Sequence, residues 1–109
     1  MAWLVRDDEV LASLEVADTR ASRNRGLLGR EGIEGAILLR PCRSVHTLRM
    51  RFPLDVAFVD GDMVVVKVCR VVPQRITLPC WPARAAIEAE AGSFASWNLV
   101  VGDELEVRQ

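Results

Sequence analysis

The chain has 109 residues, 50% of them hydrophobic and 27% charged, and its formal net charge is -1. That length predicts one domain spanning residues 1–109, able to bury roughly two thirds of its unfolded surface without disulfides or metal. The balance excludes a disordered chain and a generally basic nucleic-acid binder, and the longest apolar run, about four residues, is far from the ~20 of a membrane-spanning helix.

Residues 2–6 and 10–17 read as two strands around an Asp7-Asp8-Glu9 turn, with Leu11, Ser13, Glu15 and Ala17 alternating against Val10, Ala12, Leu14 and Val16. The apolar stretch ahead of Asp7 is too short for the core of a secretory signal, which predicts a cytoplasmic location. Asp18 or Thr19 then caps a short helix, TRASRNRGLL, stopped by Gly29; Arg20, Arg23, Leu27 and Arg30 recur on it at helical spacing. Ala36 to Leu39 is a strand ended by Pro41, and Val45 to Met50 reads as another.

Leu54–Val59 and Met63–Val72 form the clearest pair, a hairpin around Asp60-Gly61-Asp62. Leu54, Val56 and Phe58 share one face of the first strand and Asp55, Ala57 and Val59 the other. The second, MVVVKVCRVV, is apolar on both faces apart from Lys67 and Arg70, as a central strand would be. Prolines 73, 79 and 82 make an irregular connection, and ARAAIEAEA (83–91) is helical by propensity alone. Ser93 is placed to cap a helical turn through Trp97, and Leu99–Val101 with Glu104–Val107 close the chain around Gly102-Asp103. The expected fold class is α+β, mainly antiparallel β: a compact sandwich or small barrel with one or two short helices.

The charge is unevenly distributed. Eight arginines lie between Arg20 and Arg51 against Glu31 and Glu34, a local balance of +6, whereas the remainder carries -7. Arginine forks suit carboxylates and phosphates, so the segment reads as an anion pocket; alternatively its charges pair with the acidic remainder within the fold. Asp55 begins an apolar strand and, if buried, needs a strong donor, for which Arg25, Arg30 and Arg51 are the expected supply. His46, the only histidine, reads as a hydrogen-bonded structural residue or a ligand contact. Cys42 and His46, four apart, are separated by about 13 Å on an extended chain and make a poor nucleophile pair. Three cysteines without a C-x-x-C pair predict buried thiols, with no disulfide framework, metal site or cofactor. RGLLGR lacks the glycine pattern of a nucleotide cradle, and the tryptophans at 3, 81 and 97 lie outside the arginine-rich segment, so no nucleic-acid partner is expected.

ADTRASRNRGLLGR, RFPLDVAFVD, VCRVVP, an E-x-E-A-G and VVGDELEV, in this order, resemble the bacterial and archaeal domain-of-unknown-function family 192, over residues 10 to 107. The most specific pieces are Arg25-Gly26-Leu27 with Arg30, Pro53-Leu54-Asp55, and Gly102-Asp103. The resemblance implies a compact, mostly β domain, a short helix carrying RGLLGR, and a strand in place of a helix over Ala86–Ala91, leading through Gly92 into a short helix. Many members carry an aromatic-Trp-Met-Lys-Asn-Thr run before Pro-Leu-Asp, where this chain reads VHTLRMR, and many begin with an export signal, which this sequence does not show.

Taken together, these residues predict a small domain that accepts an anionic group, a carboxylate, phosphate or acidic peptide end, with Arg25, Arg30 and Arg51 as donors, Asp55 orienting them, and His46 and Arg49 close by. Two alternatives stay open: an enzyme using Asp55 or His46 as general base beside the arginines, and a purely structural or protein-interaction module.

Overall fold

The computed structural model describes residues 2–19 and 32–109. Seven strands, β1 (Ala2–Arg6), β2 (Glu9–Ala17), β3 (Ala36–Leu39), β4 (Leu54–Val59), β5 (Val65–Val71), β6 (Ala85–Glu90) and β7 (Glu106–Arg108), form one sheet in the order β5-β4-β6-β3-β2-β1-β7. A short helix, α1 (Ser93–Trp97), follows β6. Five of the six strand pairings are antiparallel and one, β2 with β3, is parallel. The expected mainly antiparallel α+β class therefore holds. A barrel does not form: β5 and β7 remain the two edges, tied at one corner by a single bridge between Val64 and Glu104.

Local chemistry explains the tight turns. Asp7 and Asp8, at φ 50° and 64°, make the left-handed two-residue turn that matches strand twist, and short polar side chains tolerate that conformation. In the β4–β5 hairpin Asp60 builds the turn, its Oδ1 accepting the backbone N–H groups of Asp62 at 2.9 Å and Val64 at 3.0 Å. β3 begins after Gly35, at φ 78°, where a Cβ would meet the Ser13 side chain and come within 2.6 Å of the Ser13 carbonyl oxygen. Only glycine lets the two chains approach there.

Alternation along the strands puts a core on each face of the sheet. Leu4, Leu38, Ala57, Ile87 and Phe94 share the first; Ile37, Leu39, Val56, Phe58, Val45 and Met50 share the second. β4 and β6 are interior strands, paired on both sides, and every residue of β4 is buried.

Three expectations are corrected. Residues 83–91 do not form a helix; β6 is wedged between β3 and β4, where ladder bonds and two-sided burial outweigh the helix propensity of Ala and Glu. The strand over Ala86–Ala91 that the resemblance implied is present as β6. β5 is an edge strand, not a central one, and its Lys67 and Arg70 are the charges that keep an edge from pairing with another chain. Val45–Met50 is not a strand either, because fully buried Thr47 binds a crossing segment: its hydroxyl donates to the Val72 carbonyl at 2.6 Å and accepts the Arg75 N–H at 3.0 Å. Only His46 makes an isolated bridge, to Ile76. The helix expected over residues 19–28 lies, apart from Thr19, outside the described residues.

Candidate functional site

Asp55 is buried on the first face of β4, directly opposite Arg70 of β5 and Ala89 of β6. Its Oδ1 accepts Arg70 Nε–H at 3.2 Å; its Oδ2 accepts the backbone N–H groups of Gly92 at 2.9 Å and Phe94 at 3.1 Å. Gly92 occupies the cap position of α1 in a left-handed conformation and has no side chain to bond the helix's free N–H groups. Asp55 supplies that acceptor from a neighbouring strand, so the cap expected of Ser93 comes from 38 residues earlier in the chain.

The two members of the pair differ in exposure: the Asp55 side chain is 7% exposed and that of Arg70 57%. Arg70 spends Nε on Asp55, and its two Nη groups have no partner among the described residues. Arg70 lines an open cleft of about 620 Å³. Val68, Phe94, Leu99 and Val100 give its apolar lining; Asn98 adds a side-chain amide that makes no hydrogen bond to a described residue.

Arg6 holds the far wall. From β1 its Nη2 donates to the Trp97 carbonyl at 2.7 Å, and its Nη1 to the Asn98 carbonyl at 3.2 Å and to Asp103 Oδ2 at 3.0 Å. Asp103 Oδ2 also accepts the Val100 N–H at 3.0 Å. The end of α1 and the turn after it are thereby fastened to the opposite side of the sheet, which accounts for Gly102-Asp103, with Gly102 at φ 98°. Phe94 and Trp97 pack at 5.5 Å between ring centroids, stiffening the short helix.

A second unusual carboxyl occupies the opposite face. Glu88 of β6 lies between Ile37 and Val56, is 5% exposed and has no hydrogen-bond or ion-pair partner among the described residues. Burial pushes its pKa up to about 7. Burial likewise raises the Cys69 thiol, which removes it from consideration as a ready nucleophile.

The expected site residues separate. Asp55 faces the first core, whereas the segment bearing His46, Arg49 and Arg51 packs through Val45, Met50 and Phe52 against the second. His46 and Arg49 are exposed on it, Arg49 at φ 65° with its N–H donated to Gln74 Oε1 at 3.2 Å; Arg51 is exposed as well. Arg25 and Arg30 lie outside the described residues. The partner of Asp55 is Arg70, in place of the expected Arg25, Arg30 or Arg51. Sequence reasoning passed over Arg70, Arg6 and Glu88 as site-forming residues; the available signal was a lone arginine on the strand paired with that of Asp55.

Fold and site define a small β domain whose mixed sheet anchors a short helix through a buried aspartate and leaves an arginine at the rim of an apolar cleft. The model of the DUF192 family, described as an uncharacterized conserved group, matches residues 3–107, and the chain belongs to that family. A UPF0127 protein of Pyrococcus furiosus is 30% identical over 111 residues, covering 97% of this chain and 96% of the relative. A UPF0127 protein of Pyrococcus abyssi is 30% identical over 98 residues, covering 85% and 84%. Among solved structures, a protein of unknown function from Novosphingobium aromaticivorans superposes with a TM-score of 0.80 at 23% identity, covering 96% of this chain and 82% of that one. A candidate transcription regulator from Sinorhizobium meliloti superposes with a TM-score of 0.82 at 20% identity, covering 97% and 91%. At these identities the two structures share the fold.

Proposed function

We propose that this chain is a binding domain that accepts an anionic group, and that Arg70 is its donor at the cleft beside α1. The observation that carries the reading is the division of labour in one side chain: Nε is held by buried Asp55, while the side chain is 57% exposed, its Nη groups are unengaged among the described residues, and Arg70 lines the cleft. A guanidinium fixed at one edge has lost most of its rotamer freedom, so a ligand loses less entropy in binding it. In this reading Asp55 orients Arg70, in place of the Arg25, Arg30 and Arg51 expected from the sequence. Arg25 and Arg30 of the basic segment are further donors in this reading; Arg51, on the segment that packs against the second core, lies away from this cleft. A cytoplasmic setting belongs to it as well, from the odd number and wide spacing of the cysteines.

The test is thermal unfolding with phosphate, acetate, citrate and short acidic peptides at low and high salt, on the wild type, Arg70→Gln and Arg30→Ala. A ligand at a hundred times its Kd stabilises by about 2.7 kcal/mol. The expected result is a Tm rise that shrinks with salt and is lost in Arg70→Gln; loss in Arg30→Ala would add the basic segment to the site. No rise with any anion, or a rise indifferent to salt and to both variants, overturns the reading.

One observation favours an enzyme as the second reading. Glu88 is a buried carboxyl with a pKa near neutrality, the range suited to proton transfer. Asp55, with both oxygens engaged, and exposed His46 are less suited to that task. An activity that disappears in Glu88→Gln with the fold intact would support this reading over simple binding.

A further inference from the structure

The make-up of the cleft narrows the ligand, on the reading that it binds an anion at Arg70. Asp55 accepts from Arg70, Gly92 and Phe94 and has little left to offer a ligand. Among the other lining residues, Arg70 with its unengaged Nη pair, Asn98 and Cys69 are the polar ones, beside an apolar wall that includes exposed Val100. We propose that the cleft binds a monocarboxylate with an apolar body, its carboxylate meeting the Nη pair of Arg70 end-on and its body lying on Phe94, Leu99 and Val100.

Three physical arguments select this class. The planar fork of a guanidinium matches the two oxygens of a carboxylate in a bidentate pair. The Asp55 carboxylate, 3.2 Å from Nε, offsets much of the arginine's charge, so little long-range attraction is left to favour a more highly charged anion such as phosphate, and hydrogen-bond fit and apolar contact decide the ligand. The apolar wall gains nothing from a small hydrated oxyanion but gains roughly 25 cal/mol for each Å² of apolar ligand surface it removes from water. The Asn98 amide adds a polar contact for a hydroxyl or amide beside the carboxylate.

The experiment is a ¹H–¹⁵N NMR titration read at the Gly92, Phe94 and Val100 amides and at Arg70 Nε–H. The probes are 4-phenylbutyrate, its neutral amide, acetate and inorganic phosphate. The expected result is saturable shifts with 4-phenylbutyrate, about tenfold tighter than with acetate or phosphate, and none with the amide. Arg70→Gln and Val100→Asp, both at exposed positions, should each weaken binding about tenfold while the remaining spectrum stays unchanged. Phosphate binding as tightly as 4-phenylbutyrate, with both lost in Arg70→Gln, overturns the monocarboxylate and leaves the anion site standing. The amide binding as well as the acid, or no probe moving these signals, overturns both at this cleft.

Discussion

Asp55 and Arg70 face each other across β4 and β5 because of a one-residue irregularity. The hairpin pairs Val59 with Val65, and continued regularly that register would set Cys69 opposite Asp55; the shift between Phe58 and Val59 advances β5 by one residue and brings Arg70 there. A bulge flips which residues share a face, so this shift decides whether the buried aspartate meets a thiol or a guanidinium.

The pair is asymmetric in energy as in exposure. Asp55→Ala leaves Arg70 Nε and two helix-start N–H groups without their acceptor, and is expected to lower stability by about 3 kcal/mol. Arg70→Gln removes only an ion pair whose cation is 57% exposed and should cost about 1 kcal/mol or less. Urea unfolding of both variants checks the contrast; equal losses would mean that Arg70, not the cap, carries the stability.

Glu88 ties stability to pH. Its pKa is raised from 4.5 to about 7, so the folded state holds the proton more tightly than the unfolded chain. The contribution is fully present below pH 4.5 and is lost as pH rises through about 7, a decline of about 3 kcal/mol. Its neighbours on the adjoining strands, Ile37 and Val56, carry no charge to oppose this. Glu88→Gln should flatten the slope between pH 5 and 8 and be the more stable protein at pH 8; denaturant titrations at several pH values compare the two.

Thr47 pins the segment that bears His46 and Arg49. Thr47→Val keeps the shape but strands the Arg75 N–H and the Val72 carbonyl, at an expected cost of about 2 kcal/mol. Amide hydrogen exchange at Arg75 should accelerate in the variant relative to the β4 amides, marking local opening of the 72–77 segment.

Much of the fold was legible along the chain because it rests on short-range physics. The Asp7-Asp8 turn, the alternation in β2 and β4, and the Asp60 hairpin need only local sterics and period-two burial. The strand at 85–90 was not legible from its own residues, since Ala and Glu favour a helix and only its position between β3 and β4 reverses that preference. The resemblance to the family carried that element correctly.

The site divides in the same way. The sequence by itself determined that Asp55 begins an apolar strand and, once buried there, needs strong donors, because an unpartnered carboxylate is too costly in an apolar setting. Which donors answer it was decided by tertiary structure alone: a bulge that slides Arg70 into register, and a chain reversal at Gly92 that turns two backbone N–H groups toward the same carboxylate. Both are contacts between residues distant in sequence, set by ladder register and packing, and neither leaves a periodic trace in the residues that make it.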